Sequence, residues 1–431
     1  MQQVPSTIST GAAALFLNLI LLMQLLSTSQ VDCDKFSSAK RSTIDKDSHG
    51  NEILNSARNK CTKDYGPVIF VPGVGGSQLE ARLNKTQRVH RVCRLQSDWF
   101  NLWLNMHLLT PISFDCLVDN MRLLYDNTTK LTGNSPGVDL RTLGFGLLEG
   151  VEYLDHLVHL PKTGYFHSII SSMENELDNL EADENVFGAS YDFRKAPNEL
   201  GEFLENITQL IEHQYCRNNY RPITLICHSM GCLNTLYLMN LKSLQSKDVY
   251  IRRSIALAAP WKGSYKALSS LLLGDNLGVP ILNGHKLRDL QITFPSLMYL
   301  FPQEDTFDKP IGRVLVETIS KNYSFNNLNE LFGDSGMSDQ LDMWLNIRDY
   351  VRDLRAPNVE LWCLYGKGVR TPTKVVYEGE LLRSHARQVM SDGDGTVNLE
   401  SSLVCSQFQQ DQSNSPNGKR VHLEAFEGTS P

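Results

Sequence analysis

Short apolar runs bounded by glycine and proline recur along the chain. They cover residues 67–71 (PVIFV), 223–227 (ITLIC), 254–259 (SIALAA) and 359–365 (VELWCLY). When a sheet is covered on both faces, the sequence of each strand is a continuous apolar run and does not alternate between apolar and polar residues. The pattern therefore predicts an α/β fold with a mostly parallel central sheet and helices packed on both of its faces.

The second run leads into a different periodicity. It ends at the tetrapeptide His-Ser-Met-Gly around Ser229, after which Leu233, Leu236 and Tyr237 follow at the three- and four-residue spacing of one helix face. This segment predicts a strand, a tight turn and a helix, with Ser229 in the turn.

The first 64 residues fit no part of that core. Residues 11–26 are apolar and are followed by small and polar residues, which predicts a secretory signal peptide over residues 1–30. The alternative is an uncleaved membrane anchor, because no Lys or Arg precedes the stretch, but Asn18 and Gln24 interrupt it and it is short for a bilayer span. Residues 31–64 are polar and aperiodic, which indicates a mobile leader.

The remaining chain, residues 65–431, predicts one large domain. Two stretches within it lack the run-and-helix alternation: residues 93–165, which are rich in aromatic residues, and residues 264–350, which mix apolar and glycine-containing segments. We expect both to be insertions that form caps over the sheet.

Composition and charge narrow the class of protein. With 431 residues, 41% of them apolar and 21% charged, the chain can bury a large core and is not of the disordered class. The formal net charge of -7 provides no basic field, so nucleic acid is not an expected partner.

Entry into the secretory pathway would permit disulfides and N-glycans. The nine cysteines are an odd number, which leaves at least one thiol free or paired between chains. Cys227 and Cys232 flank Ser229, and we expect them to be small buried packing residues. Four asparagines fit the N-glycan acceptor pattern: Asn84, Asn127, Asn206 and Asn322.

The turn at Ser229 has the requirements of a nucleophile. A serine hydroxyl attacks only when a sharp turn exposes it to a base, and small residues two positions before and after it permit that turn. Cys227 and Gly231 are these residues. Backbone amides of Met230 and of Val74, in the turn PGVGG, would stabilise an oxyanion. The alternatives are a chance turn at Ser229 and an ordinary glycine turn at Val74.

An acid and a base should follow the nucleophile in sequence. Residues 392–398 (DGDGTVN) offer Asp394, and a calcium-binding loop is the alternative, but the spacing lacks the distal Glu of an EF-hand. We expect neither a metal nor another cofactor. His422 is the only later histidine, and the alternation of Val421, Leu423 and Ala425 predicts that it lies on a strand and points to the opposite face.

Nine stretches together resemble the lecithin:cholesterol acyltransferase and lysosomal phospholipase A family. In family order they are residues 67–83, 114–129, 136–146, 150–155, 228–238 (HSMGCLNTLYL), 259–264 (APWKGS), 272–281, 362–372 (WCLYGKGVRTP) and 392–398. The resemblance implies an α/β-hydrolase fold with a membrane-binding cap and a lid. It also implies a phospholipid acyl donor at a membrane or lipoprotein surface, water or a lipid alcohol as acceptor, and a lysosomal or extracellular location.

Carried over by residue, the resemblance makes Ser229 the nucleophile, Asp394 the triad acid, and Val74 and Met230 the oxyanion amides. It implies a lipid contact at Trp99. It implies two disulfides, Cys93 with Cys116 and Cys363 with Cys405. It also implies that residues 271–281 form the lid.

Three departures from the family pattern stand out. Lys262 and Cys227 each replace a glycine, and the family's triad histidine falls near Pro431, where this chain ends. We therefore expect a phospholipid acyl-transfer enzyme that is truncated before its histidine. The alternatives are a catalytically impaired lipid-binding homologue and an esterase for neutral lipids or carbohydrates.

Overall fold

The computed structural model describes residues 65–155, 163–177, 180–276, 284–307, 312–415 and 418–428. The predicted signal peptide and leader lie outside these residues, as does most of the second half of the predicted lid.

Fifteen strands are present in the described part of the chain. In order they are β1 (Val68–Val71), β2 (Leu79–Asn84), β3 (Gln96–Trp103), β4 (Leu123–Asp126), β5 (Leu131–Asn134), β6 (Val138–Thr142), β7 (Val186–Gly188), β8 (Ile223–His228), β9 (Ile251–Leu257), β10 (Val316–Glu317), β11 (Asn322–Tyr323), β12 (Glu360–Lys367), β13 (Val369–Tyr377), β14 (Ala386–Gly393) and β15 (Val421–Glu427).

Fifteen α-helices accompany them in the same residues. They are α1 (Phe114–Met121), α2 (Glu149–Glu152), α3 (His167–Glu176), α4 (Gly201–Arg217), α5 (Met230–Leu241), α6 (Leu244–Tyr250), α7 (Tyr265–Leu273), α8 (Gly284–Gln291), α9 (Pro295–Tyr299), α10 (Glu304–Phe307), α11 (Leu328–Asp334), α12 (Ser338–Ile347), α13 (Asp349–Arg352), α14 (Leu399–Ser402) and α15 (Val404–Ser413).

The central sheet has six strands in the order β15-β12-β9-β8-β1-β7, and every pair in it is parallel. Alternate residues of β1 enter different apolar clusters: Ile69 and Val71 one, Val68 and Phe70 the other. Both faces of the sheet are therefore covered, which is why its strands read as continuous apolar runs. The predicted α/β fold and its four apolar strands are confirmed.

Smaller sheets lie outside the central one. β2 pairs with β3 and β6 in an antiparallel three-stranded sheet, and β4 pairs with β5. The Cys93–Cys116 disulfide joins the segment before β3 to α1. A further sheet has the order β11-β10-β13-β14, in which β13 and β14 form a long antiparallel pair that the sequence pattern did not predict.

An ion pair between the buried Arg194 and the partly buried Asp192 holds these parts together. Arg194 is fully buried and its guanidinium donates to both carboxylate oxygens of Asp192, at 2.9 and 2.7 Å. It also donates to the Met121 carbonyl at the end of α1 and to the Asn134 side chain on β5. One side chain thus ties the loop after β7 to α1 and to β5.

The described residues contain no helix that is both long enough and apolar enough to pass through a bilayer.

Candidate active site

Ser229 occupies the turn between β8 and α5, at the carboxyl edge of the central sheet. Its backbone has φ 52° and ψ −128°, a conformation that costs a non-glycine residue about 1–3 kcal/mol. The Ser229 N–H donates to the Leu257 carbonyl at 2.9 Å. A Cβ on Gly231 would lie 2.3 Å from the Pro72 carbonyl oxygen, so the small residue permits close contact with the loop after β1. The predicted strand, turn and helix are confirmed.

The loop after β1, residues 72–77, packs directly against Ser229. A Cβ on Gly73 would lie 2.7 Å from the Ser229 Cβ, and Gly75 needs its positive φ of 72°. Among the described residues, no acceptor is bonded to the Val74 N–H or to the Met230 N–H. Both amides are therefore free to donate to a group bound beside Ser229.

Three aromatic side chains hold the peptide groups around Val74. Tyr191 donates its hydroxyl to the Pro72 carbonyl at 2.9 Å, and the Trp103 indole N–H donates to the Gly75 carbonyl at 2.8 Å. The Gly73 N–H donates to the Tyr165 hydroxyl at 2.9 Å. Sequence analysis missed all three, because no local pattern links residues so far apart along the chain.

Asp394 lies in the loop after β14, beside the carboxyl end of β12. Its Oδ1 accepts the backbone N–H groups of Thr396 at 2.8 Å and Val397 at 2.7 Å. A Cβ on Gly366 would lie 2.8 Å from the Asp394 Cβ. Burial raises the pKa of Asp394, while the two N–H donors oppose that effect. The fold brings Asp394 to the same edge of the central sheet as Ser229.

His422 does not lie at that edge. It sits on β15 opposite Trp362, four register positions before Phe426, which pairs with Gly366 beside Asp394. Four positions correspond to about 13 Å along a strand. The imidazole stacks on the Trp362 indole with centroids 3.7 Å apart, and its Nε2 lies 3.6 Å from the Glu360 carboxylate. His422 is therefore a packing residue, and the possibility that it serves as base is wrong.

Replacing His422 with leucine is expected to leave the reactivity of Ser229 unchanged. Losing the stacked ring should lower the free energy of unfolding by about 1 kcal/mol. Urea unfolding and the rate of fluorophosphonate labelling at Ser229 measure the two effects separately. A tenfold or larger loss of labelling in the folded variant would contradict this assignment.

His228 immediately precedes Ser229, and its ring is hydrogen-bonded to Tyr165. Its Nδ1 shares a hydrogen bond with the Tyr165 hydroxyl, 2.5 Å away, and burial lowers its pKa to about 4. His228 is therefore neutral at neutral pH.

The depressed pKa of His228 predicts a loss of stability in mild acid. Between pH 6.5 and 4, His228 is protonated in the unfolded chain but stays neutral in the folded chain. The free energy of unfolding should therefore fall as the pH falls, by at most about 1.4 kcal/mol per pH unit. Urea unfolding between pH 7 and 5 measures the slope, and a folded His228→Asn variant should show a smaller one. Equal slopes would rule out this origin.

Cys227 and Cys232 are not the independent packing residues that the sequence suggested. They form a disulfide across the turn, with their Cα atoms 4.9 Å apart, and both are almost fully buried. The expectation was wrong because spacing alone did not show that the turn folds the start of α5 back onto the end of β8. Cys363–Cys405 is also bonded, and Cys216 is a free, exposed thiol among the described residues.

Trp99 lies on β3 with cations on its ring. The guanidinium of Arg141 is 4.3 Å from the ring centroid and that of Arg82 is 5.2 Å away. The neighbouring loop, residues 86–94, exposes Val89 (56%) and Val92 (49%) between the exposed side chains of Arg88, Arg91 and Arg94. We call residues 86–94 the basic loop.

Comparison with known proteins adds the following. A family model described as lecithin:cholesterol acyltransferase matches residues 99–354 and 349–430. The phosphatidylcholine-sterol acyltransferase of Gallus gallus is 35% identical over 369 residues, covering 85% of this chain and 86% of that protein. The lysosomal phospholipase A and acyltransferase of Homo sapiens is 38% identical over 349 residues, covering 81% and 83%. A solved chain of the Tle4–Tli4 complex is similar with a TM-score of 0.49 at 13% identity, covering 84% and 91%.

Proposed function

This chain belongs to the lecithin:cholesterol acyltransferase family and has its α/β-hydrolase fold, and we propose that it transfers acyl groups from phospholipids through an ester on Ser229. The observation that carries this proposal is the strained Ser229 turn packed against a loop with a free Val74 amide. The related proteins act as acyltransferases and phospholipases by name, and this geometry suits the same chemistry.

In the proposed reaction, Ser229 Oγ attacks the carbonyl carbon of a phospholipid ester while a base takes its hydroxyl proton. The carbonyl oxygen becomes an oxyanion and accepts the Val74 and Met230 N–H groups, each worth about 3 kcal/mol in the transition state. The ester C–O bond then breaks as the base returns that proton to the lysophospholipid oxygen, which leaves the acyl-enzyme. Water or a lipid alcohol then takes the acyl group by the reverse steps. Asp394 would orient the base. In the family that base is a histidine, which follows the strand that corresponds to β15.

A second candidate is a lipid-binding homologue with little turnover. It is favoured by the finding that, among the described residues, no histidine is hydrogen-bonded to Ser229 or Asp394. A missing triad member generally costs several orders of magnitude in rate.

One experiment separates these candidates. The full-length secreted protein is incubated with an alkyl fluorophosphonate at neutral and acidic pH, with and without imidazole, and labelling of Ser229 is followed by mass spectrometry. Labelling without imidazole together with lysophospholipid release from vesicles supports the enzyme. Labelling that requires imidazole, a soluble base, supports the impaired homologue. No labelling of the folded protein under either condition would overturn the proposed nucleophile.

We further propose that the basic loop and Trp99 dock the protein on a phospholipid membrane or lipoprotein surface, with the outer sheets acting as the cap. Valines that project between arginines suit an interface in which apolar groups enter the lipid and cations meet the phosphates. The chain as a whole is net acidic and would not attract an anionic lipid surface, so the basic loop would supply that attraction.

Changing Arg88, Arg91 and Arg94 together to glutamine is expected to weaken binding to anionic phosphatidylserine-containing vesicles. At about 1 kcal/mol per cation the loss should be on the order of 100-fold, and it should shrink as salt rises. Vesicle co-sedimentation measures it. The matched control is the double variant Val89→Ser with Val92→Ser. It should weaken binding to neutral vesicles as well as to anionic ones. Unchanged binding of the arginine variant would remove the basic loop from the interface.

We propose a secretory route to a lysosomal or extracellular location. Three acceptor asparagines, Asn84, Asn127 and Asn322, are exposed, and Asn206 is half-buried on α4. A mass decrease on treatment with peptide N-glycosidase would support this route. Secreted protein without glycans would count against these four sites.

A further inference from the structure

The hydroxyl of Tyr165 lies between the loop after β1 and the end of β8. It accepts the Gly73 N–H at 2.9 Å and contacts His228 Nδ1 at 2.5 Å. A tyrosine hydroxyl has one proton and two lone pairs, and a neutral imidazole carries its proton on either nitrogen. In both tautomers of His228 the Gly73 N–H donates to the Tyr165 oxygen, and Tyr165 and His228 share the second hydrogen bond.

The ring of Tyr165 fills the space that two glycines leave open. A Cβ on Gly76 would lie 2.5 Å from the Tyr165 Cζ, and one on Gly73 would lie 3.1 Å from its hydroxyl oxygen. The ring also makes edge-on contacts with Phe166 and His228, with centroids 4.9 and 5.3 Å apart. The side chain is thus fixed on several sides, and its hydroxyl has little freedom to leave Gly73.

The loop is held upstream by Tyr191 on the Pro72 carbonyl and across its own turn by the Gly76 N–H on the Gly73 carbonyl, 3.1 Å away. Glycines at positions 73, 75 and 76 give its backbone access to many conformations. Its downstream part is held by Trp103 on the Gly75 carbonyl. The Val74 N–H belongs to the peptide between Gly73 and Val74, whose carbonyl accepts the Gly76 N–H. Tyr165 holds the preceding peptide through the Gly73 N–H, so it limits the rotation about Gly73 that would turn the Val74 N–H away.

We propose that Tyr165 is a positioning residue that aims the Val74 amide at the oxyanion by holding Gly73 against the strand that carries Ser229. This inference rests on the proposed function, because it takes the Val74 amide as an oxyanion donor. Tyr165 acts through the loop and does not touch the reacting atoms. Its hydroxyl makes the oxyanion loop and the nucleophile turn move as one unit.

The test is Tyr165→Phe, which keeps the ring and its packing and removes only the hydroxyl. Fluorophosphonate labelling of Ser229 in the full-length protein should slow by about 10- to 100-fold in its maximal rate, with the probe's binding constant nearly unchanged. Affinity for an alkyl trifluoromethyl ketone, which forms an oxyanion on Ser229, should fall similarly, whereas affinity for the matching alcohol should not. A purely structural role would not separate these two ligands.

Tyr237→Phe is the matched control. Tyr237 lies on α5, and among the described residues its hydroxyl has no hydrogen-bond partner, so this variant should label at the wild-type rate. Backbone hydrogen exchange over residues 73–77 should rise in Tyr165→Phe and stay constant in the control.

The outcomes separate the inference from the proposed function. If the wild-type protein labels and Tyr165→Phe labels equally fast, the inference is overturned and the nucleophile stands. If no protein labels, the proposed function fails, and hydrogen exchange decides: unchanged exchange in Tyr165→Phe overturns the coupling, and faster exchange confined to residues 73–77 supports it.

Discussion

Replacing Ser229 with alanine is expected to abolish both fluorophosphonate labelling and phospholipid turnover. The proposed acyl-enzyme needs the Ser229 oxygen, and no other group at the turn can form that ester. Loss of a triad nucleophile in related chemistry costs about 10⁶-fold in rate, so the residual rate should be near background. Release of lysophospholipid from mixed vesicles, measured by mass spectrometry, provides the readout.

Two further variants sharpen this test. Asp394→Asn removes the charge of the proposed acid and should lower turnover by about 10⁴-fold while leaving Ser229 in place. Ser406→Ala, at an exposed serine on α15, should have no effect. Retained turnover in a folded Ser229→Ala protein would refute the acyl-enzyme mechanism.

Replacing Arg194 with methionine is expected to destabilise the fold more than any surface change. Burial alone would raise the pKa of Asp192, but the charge and hydrogen bonds of Arg194 lower it, so the carboxylate depends on its partner. Removing one member of a buried pair costs about 3–5 kcal/mol, because the remaining charge is left uncompensated. Urea unfolding followed by tryptophan fluorescence measures the loss.

The pair offers its own control. Adding Asp192→Asn to Arg194→Met removes the stranded charge and should restore part of the stability. Arg383→Met, at a pair whose side chains are 82% and 76% exposed, should change the free energy of unfolding by less than about 1 kcal/mol. A loss at Arg194 no larger than that at Arg383 would show that the buried pair contributes little.

Local patterns predicted the parts of this protein that depend on neighbours in sequence. The apolar runs predicted β1, β8, β9 and β12 correctly because both faces of the sheet are buried. The turn at Ser229 could be predicted because small residues must flank it. The turn that holds Asp394 was predicted from its glycines, and the role of Asp394 as the acid stays a proposal.

The unpredicted parts depend on contacts between distant residues. Tyr165 and Tyr191 reach the loop after β1 across 92 and 119 residues, and nothing in their local sequence marks them. The Cys227–Cys232 bond depends on how tightly the turn folds. His422 was placed correctly on a strand, but its depth below the sheet edge required the register of β15 on β12.

The strand order has a consequence for the timing of synthesis. The neighbours β9, β8, β1 and β7 are all complete by Leu257, so the turn at Ser229 and the loop after β1 can form on a nascent chain. Asp394 emerges more than a hundred residues later, which at ~5–20 residues per second is a delay of about ten seconds. During that delay the growing chain holds Ser229 without Asp394. If the two act together as proposed, the chain acquires reactivity toward phospholipid only after most of its domain is complete.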